Sequence, residues 1–221
     1  MLAENYKKIM ANIETAARHS GRDPASVKLV AVTKTVGLEE VRRAAALGIT
    51  DFGENRVQEA VEKVKSISEV RWHFIGHLQS NKVKDVLPFY SLIHSLDRIS
   101  LAKALQRVAE RLDCTAEVLV QLNISGEESK FGLPPEELPG FLEKLKNYNR
   151  IRVHGLMTMA PFVDDPEEVR PYFRQLRLLR EEFCDQGLDL PELSMGMTND
   201  YIVAVEEGAT MVRIGSALFN T

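Results

Sequence analysis

The chain lacks most of the signatures that give a function away. Only two cysteines occur among its 221 residues, Cys114 and Cys184, far apart and in no CxxC spacing. Neither a disulfide framework nor a thiolate metal site is expected, and a reducing compartment fits. No apolar run approaches the length of a membrane span, and the stretch Met1-Leu2-Ala3-Glu4-Asn5-Tyr6-Lys7-Lys8 has no signal-peptide core. A cytoplasmic protein with no membrane partner is the expectation. Charge of one sign is missing too. The 28 basic and 32 acidic residues leave a net charge of −4, without a basic block or aromatic–basic interleaving, which argues against nucleic acid. There is no GxxxxGK(S/T) loop and no GxSxG elbow. No Pro/Ser-rich linker, composition shift or internal repeat divides the chain, so residues 1–221 read as one domain.

What is present is alternation. Hydrophobic residues at 44% and charged residues at 27% suit a globular protein with an ample core. Strand-like runs occupy 27–34, 49–54, 71–76, 92–96, 117–124, 152–158, 192–196 and 211–215. Helical periodicity fills the gaps between them. In 98–112, Ala102, Leu105, Ala109 and Leu112 share a face and Asp97 is placed to cap it. In 171–186, Pro171 suits the first turn, Tyr172, Leu176, Leu179 and Phe183 share a face, and Gly187 stops the helix. Thr198 is placed to cap a helix through Ile202 and Val205 to Gly208, and one further helix, about 3–19, precedes the first strand. An open doubly wound sheet would need a glycine-rich fingerprint after strand one, and Thr33-Lys34-Thr35-Val36-Gly37-Leu38 offers none. The expected fold is α/β, a single (β/α)₈ TIM barrel with an extra N-terminal helix.

In such barrels the active face lies at the C-terminal ends of the strands, with phosphate often held after strands seven and eight. Lys34 ends the first run there, with Asn55, Gly76 and Met157-Thr158-Met159 at the same face. A lysine held partly desolvated at a strand mouth favours the neutral amine, a nucleophile toward aldehydes. On that run alone, a lysine that merely snorkels into solvent is the simpler reading. Two turns then carry the strongest chemical signal. Ser194-Met195-Gly196-Met197-Thr198 and Gly215-Ser216 each combine hydroxyl and glycine ahead of a helix, an arrangement that favours a phosphate monoester. Either turn alone is ordinary strand-to-helix punctuation. Both, on the two strands where barrels hold phosphate, favour the functional reading. Arg213, inside Met211-Val212-Arg213-Ile214, suits either a structural ion pair or a contact to phosphate or a ring heteroatom.

A lysine, a phosphate cradle and an arginine at one mouth describe a pyridoxal 5′-phosphate site. The chain here resembles the pyridoxal phosphate homeostasis protein family, single-domain relatives of the N-terminal barrel of alanine racemase. The matching segments are 29–34, 52–59 (Phe-Gly-Glu-Asn-Arg-Val-Gln-Glu), 72–82 (Trp-His-Phe-Ile-Gly-His-Leu-Gln-Ser-Asn-Lys), 154–161, 193–197 and 212–219. They span nearly the whole chain in family order. The resemblance implies that Lys34 forms the aldimine, that Ser194, Gly196, Gly215 and Ser216 hold the phosphate, and that Arg213 lines the site. Asn55, Met157, Met195 and Thr198 complete the expected cofactor-binding set; the family more often has serine at the position of Thr198.

No metal is expected. His73 and His77 straddle a strand end rather than one helix face, so packing or hydrogen bonding suits them better, and His94 and His154 carry no ligand spacing. Lys130 follows the fifth strand and is a second lysine that could meet an aldehyde, although a solvated loop lysine is the plainer reading. Racemisation would need proton carriers on both faces of the substrate. In alanine racemase the opposite tyrosine comes from a second domain, and this chain stops at Thr221; Tyr201 and Tyr90 are not obvious substitutes. The expectation is therefore a non-catalytic protein that holds the cofactor reversibly for vitamin B6 and amino-acid balance. A monomer, with cofactor-requiring apo-enzymes as recipients, goes with that expectation. A cofactor-dependent amino-acid racemase is the alternative, and a phosphate-binding barrel without aldehyde chemistry the third.

Overall fold

The computed structural model describes residues 1–220. Eight parallel strands close in sequence order into a barrel: β1 Lys28–Val32, β2 Asp51–Glu54, β3 Arg71–Phe74, β4 Leu92–Leu96, β5 Ala116–Leu122, β6 Ile151–Thr158, β7 Glu192–Ser194 and β8 Met211–Ile214. Helix α1, Leu2–His19, precedes them. Around the barrel lie α2 Leu38–Ala46, α3 Val57–Ser66, α4 Val83–Val86, α5 Ile99–Leu112, α6 Leu138–Leu145, α7 Arg170–Asp185, α8 Tyr201–Glu206 and α9 Ser216–Phe219. The expected TIM barrel with an extra helix is the architecture found. Closure leaves the sheet no unpaired edge, which is what lets short strands, some of only three or four residues, persist.

The period of two along each strand divides the residues between two cores. Leu29 and Ala31, Trp72 and Phe74, Val118 and Val120, and Val212 and Ile214 face the helices and join the outer core. Burying each large side chain there contributes roughly 1.5–3 kcal/mol. Val30, Leu92, Leu119, Met157 and Met211 form a separate cluster inside the barrel. Arg213 alternates with Met211 and His94 with Leu92, so both of those polar side chains point inward as well. One irregularity is built on glycine. The β5–β6 register shifts between Val118 and Leu119, and opposite it Gly155 has a φ of 156° and packs so tightly on β7 that a Cβ would lie 1.8 Å from the Glu192 carbonyl.

Several boundaries differ from expectation. The seventh strand stops at Ser194, because Gly196, at φ 91°, turns the chain; a Cβ there would sit 2.5 Å from Ala204 Cβ. Helix α8 starts at Tyr201, with Asp200 rather than Thr198 at the N-cap position. Asp97 caps nothing: it pairs with Arg98, and Arg98 is the N-cap residue of α5. Leu101, Ala102, Leu105, Val108 and Ala109 form the buried face of α5 as a helical period requires, but Leu112, expected on that face, is 45% exposed. Helix α7 carries Pro171 in its first turn, as expected, and Gly187 follows it at φ 92°.

Candidate functional site

A cavity of about 730 Å³ opens at the C-terminal ends of the strands. Lys34, Asn55, Thr198, Arg213, Gly215 and Ser216 line it, six residues far apart in sequence that barrel closure brings together. The two C-terminal turns meet directly. Ser216 Oγ donates to Thr198 Oγ1 at 3.2 Å, so the turns after β7 and β8 place two hydroxyls at one spot. Asn55 Oδ1 is buried without a partner among the described residues.

Lys34 differs from its sequence reading in one respect. Strand β1 ends at Val32, and Lys34 is exposed on the turn that follows, so the expected desolvation of its amine is not met. What fixes the turn is a pair of charges beneath it. Lys63, on α3, reaches under the chain and donates to the carbonyls of Thr33 at 2.7 Å and Val36 at 3.2 Å. Its charge is met by Glu54 at 2.5 Å, with side chains only 10% and 1% exposed. Thr33 Oγ1 also donates to Glu54, at 2.6 Å. Lys34 thus sits between two carbonyls that Lys63 holds, and its amine has no hydrogen-bond partner among the described residues. Glu54 and Lys63 escaped the sequence reading, although a glutamate ending a strand within Phe-Gly-Glu-Asn and a lysine on the inner face of α3 were both visible signals.

Arg213 is 3% exposed, and burial pushes its pKa down to about 10, with Asp200 acting in the opposite direction; the guanidinium stays charged at neutral pH. NH1 donates to Ser194 Oγ at 2.5 Å and NH2 to the Thr158 carbonyl at 2.9 Å. The structural ion pair that the sequence left open is not what holds it. Asp200, also on the cavity wall, is raised above the usual carboxylate value by burial, against the Met197 N–H that donates to it at 2.6 Å and the charge of Arg213.

Four expected cofactor contacts lie elsewhere. Ser194 is fully buried beneath Arg213, committed to it and to His94, and does not reach the cavity wall. Met157 fills the barrel interior, Met195 faces the outer core, and Gly196 is packed against Tyr201 and Ala204. Strand alternation is the reason: with Ser194 pointing inward one layer below the mouth, Met195 must point outward. On the far wall, His77 stacks on Phe131 with ring centroids 3.9 Å apart, a contact between two loops that spacing in sequence could not reveal. Lys130 is paired with Glu127 and its side chain is only 21% exposed, so it is neither on the cavity wall nor freely solvated.

Comparison with known proteins gives the family of the chain. The profile described as "Alanine racemase, N-terminal domain" matches residues 5–221. The chain is 43% identical over 219 residues to the pyridoxal phosphate homeostasis protein of Aquifex aeolicus, covering 98% of this chain and 96% of that one. The chain belongs to the pyridoxal phosphate homeostasis protein family. The Pseudomonas aeruginosa member is 42% identical over 224 residues, covering 99% of this chain and 94% of its own. Among solved structures, PipY of Synechococcus elongatus with PLP bound superposes at a TM-score of 0.87, with 34% identity and full coverage of both chains. The two sequence relatives match this chain over nearly their whole length, and PipY, which shares its barrel, has been solved with PLP bound.

Proposed function

We propose that this protein binds pyridoxal 5′-phosphate in the cavity at the barrel mouth and serves vitamin B6 homeostasis by holding the cofactor. The observation that carries the reading is that Lys34, Arg213 and the Thr198–Ser216 hydroxyl pair line one cavity. Lys34 would make the covalent bond to the aldehyde. Thr198, Gly215 and Ser216 would take the phosphate through hydroxyl and backbone donors, and Asn55, with its unpartnered buried oxygen, would contact the ring side. The cofactor itself supplies an electrophilic aldehyde and a ring that can accept electrons from an amino acid. Arg213 brings a cation to the cavity, where a carboxylate would instead favour a protonated pyridine nitrogen, and a cation makes the ring a poorer electron acceptor. That chemistry supports holding over turnover. In this reading the protein works as a cytoplasmic monomer and releases cofactor to apo-enzymes that need it. No described helix is long and apolar enough to cross a membrane.

The test is spectroscopic. Protein incubated with the cofactor and desalted is expected to show a visible absorption band, and Lys34→Ala to lose it. A colourless wild type would contradict the proposal. Solvent deuterium exchange at the α-carbon of a panel of amino acids, faster than with free cofactor, would replace holding by racemase chemistry.

A further inference from the structure

A line of hydrogen bonds crosses the barrel interior beneath the cavity. From Arg213 on β8 it passes to Ser194 on β7, and Ser194 Oγ lies 2.8 Å from His94 Nδ1 on β4. Strands β4 and β7 are not neighbours in the barrel, so this contact spans the lumen. His94 Nε2 is 3.0 Å from His73 Nδ1 on β3, and His73 Nε2 is 2.9 Å from Asp51 Oδ1 on β2. At the N-terminal end Arg71 clamps Asp51, its Nε donating at 2.8 Å and its NH2 at 2.7 Å. Ser194 and His94 have no exposed surface, and His73 has 3%.

With one proton on each imidazole, the two ends fix the direction of every bond between them. A guanidinium only donates, so Ser194 Oγ accepts from Arg213, and the acceptor within reach of its own proton is His94 Nδ1. A carboxylate only accepts, so the proton on His73 sits on Nε2, facing Asp51, and His73 Nδ1 accepts. The remaining bond is then a donation from His94 Nε2 to His73 Nδ1. Each ring nitrogen is then used once, and the line has a single pattern of donors and acceptors. A proton on His94 Nδ1 would leave Ser194 with two donors aimed at it and no acceptor for its own hydrogen, a costly defect at full burial.

We propose that His94 is a positioning residue for the cofactor site: its unprotonated Nδ1 takes the Ser194 proton, turns the serine lone pair toward Arg213, and so fixes the guanidinium that faces the cavity. Arg213 keeps further N–H groups beyond those given to Ser194 and Thr158, and these are what the locked guanidinium presents to a ligand. This inference rests on the proposed cofactor reading for its consequence, but not for the hydrogen-bond direction.

Two measurements test it. Nitrogen-15 NMR of histidine-labelled, cofactor-free protein at neutral pH is expected to show a protonated Nε2 and a bare Nδ1 on both His73 and His94. A proton on His94 Nδ1 overturns the proposal whatever the cofactor does. In cofactor-loaded protein, His94→Leu removes the acceptor, whereas His94→Gln can offer an amide oxygen to Ser194 and an amide N–H to His73. The leucine variant is expected to shift the visible band of the bound cofactor and to weaken its retention about tenfold, the loss of a hydrogen bond to a charged group. The glutamine variant is expected to restore both. A leucine variant that is merely less stable, with spectrum and retention unchanged, or equal losses in both variants, overturns the positioning role. Should His94→Leu fail to fold, Ser194→Ala removes the same link and is expected to give the same spectral shift; an unchanged spectrum there overturns the proposal. If wild-type protein takes up no cofactor, it is the cofactor reading that fails, and the NMR result still decides the direction.

Discussion

Single residues at this site act mostly through what lies beneath them. Lys63→Met would leave Glu54 buried and unpaired and strip the Thr33 and Val36 carbonyls of their donor. A loss of about 3–5 kcal/mol of folding stability is expected in urea unfolding, because removing one member of a buried pair strands the other. His94 makes a second prediction, from pH. Burial, and after it the proximity of His73 and the charge of Arg213, hold its pKa well below the ordinary histidine value. The unfolded chain therefore takes up a proton that the folded chain refuses, and stability falls as pH drops below the unfolded value of about 6.5. Between pH 6.5 and 5.5, wild type should lose about 1 kcal/mol more than His94→Gln in paired urea melts. Lys34 and Arg213 were legible in the sequence because each is a charge set in an apolar, β-branched run. Ser194 was misplaced because a motif shows which residues are close along the chain, not which side of a strand each one faces.

At the scale of elements, the extra helix α1 is a structural part of the site rather than an appendage. It packs on α8 and α9, with Asn12 Nδ2 donating to Tyr201 Oη at 2.8 Å and Asn5 Nδ2 to the Leu218 carbonyl at 3.2 Å. Helix α8 follows the turn that carries Thr198 and α9 begins at Ser216, so α1 braces the wall of the cavity that would meet phosphate. Ile13 on α1 is 1% exposed, and Ile13→Ala is expected to cost about 2–5 kcal/mol in thermal or urea unfolding. The helix itself was readable from its periodicity, whereas its packing partners were not. The start of α8 was misread for a related reason. Thr198 has the chemistry of a cap, but Gly196 and the bond from Met197 N–H to Asp200 hold residues 197–200 in a turn, and the hydroxyl of Thr198 is used instead across to Ser216.

In the whole molecule, barrel closure turns scattered residues into a cavity wall and a polar core. Eight strand-like runs alternating with helical stretches made the closed fold readable, since few other architectures use so many units in one chain. The line from Asp51 to Arg213 was not readable, because it depends on register and on contacts across the lumen between β4 and β7. His73, for which hydrogen bonding or packing was expected despite its HxxxH spacing with His77, and His94, which carried no ligand spacing, are members of one hydrogen-bonded chain below the cavity. The central claim is that Lys34, on the turn that Lys63 holds at the Thr33 and Val36 carbonyls, is the point of cofactor attachment. The most direct measurement is borohydride reduction of the cofactor-loaded protein followed by peptide mapping. Cofactor mass on the peptide containing Lys34 is the predicted result. Mass on Lys130 alone, or none on the chain, would contradict it.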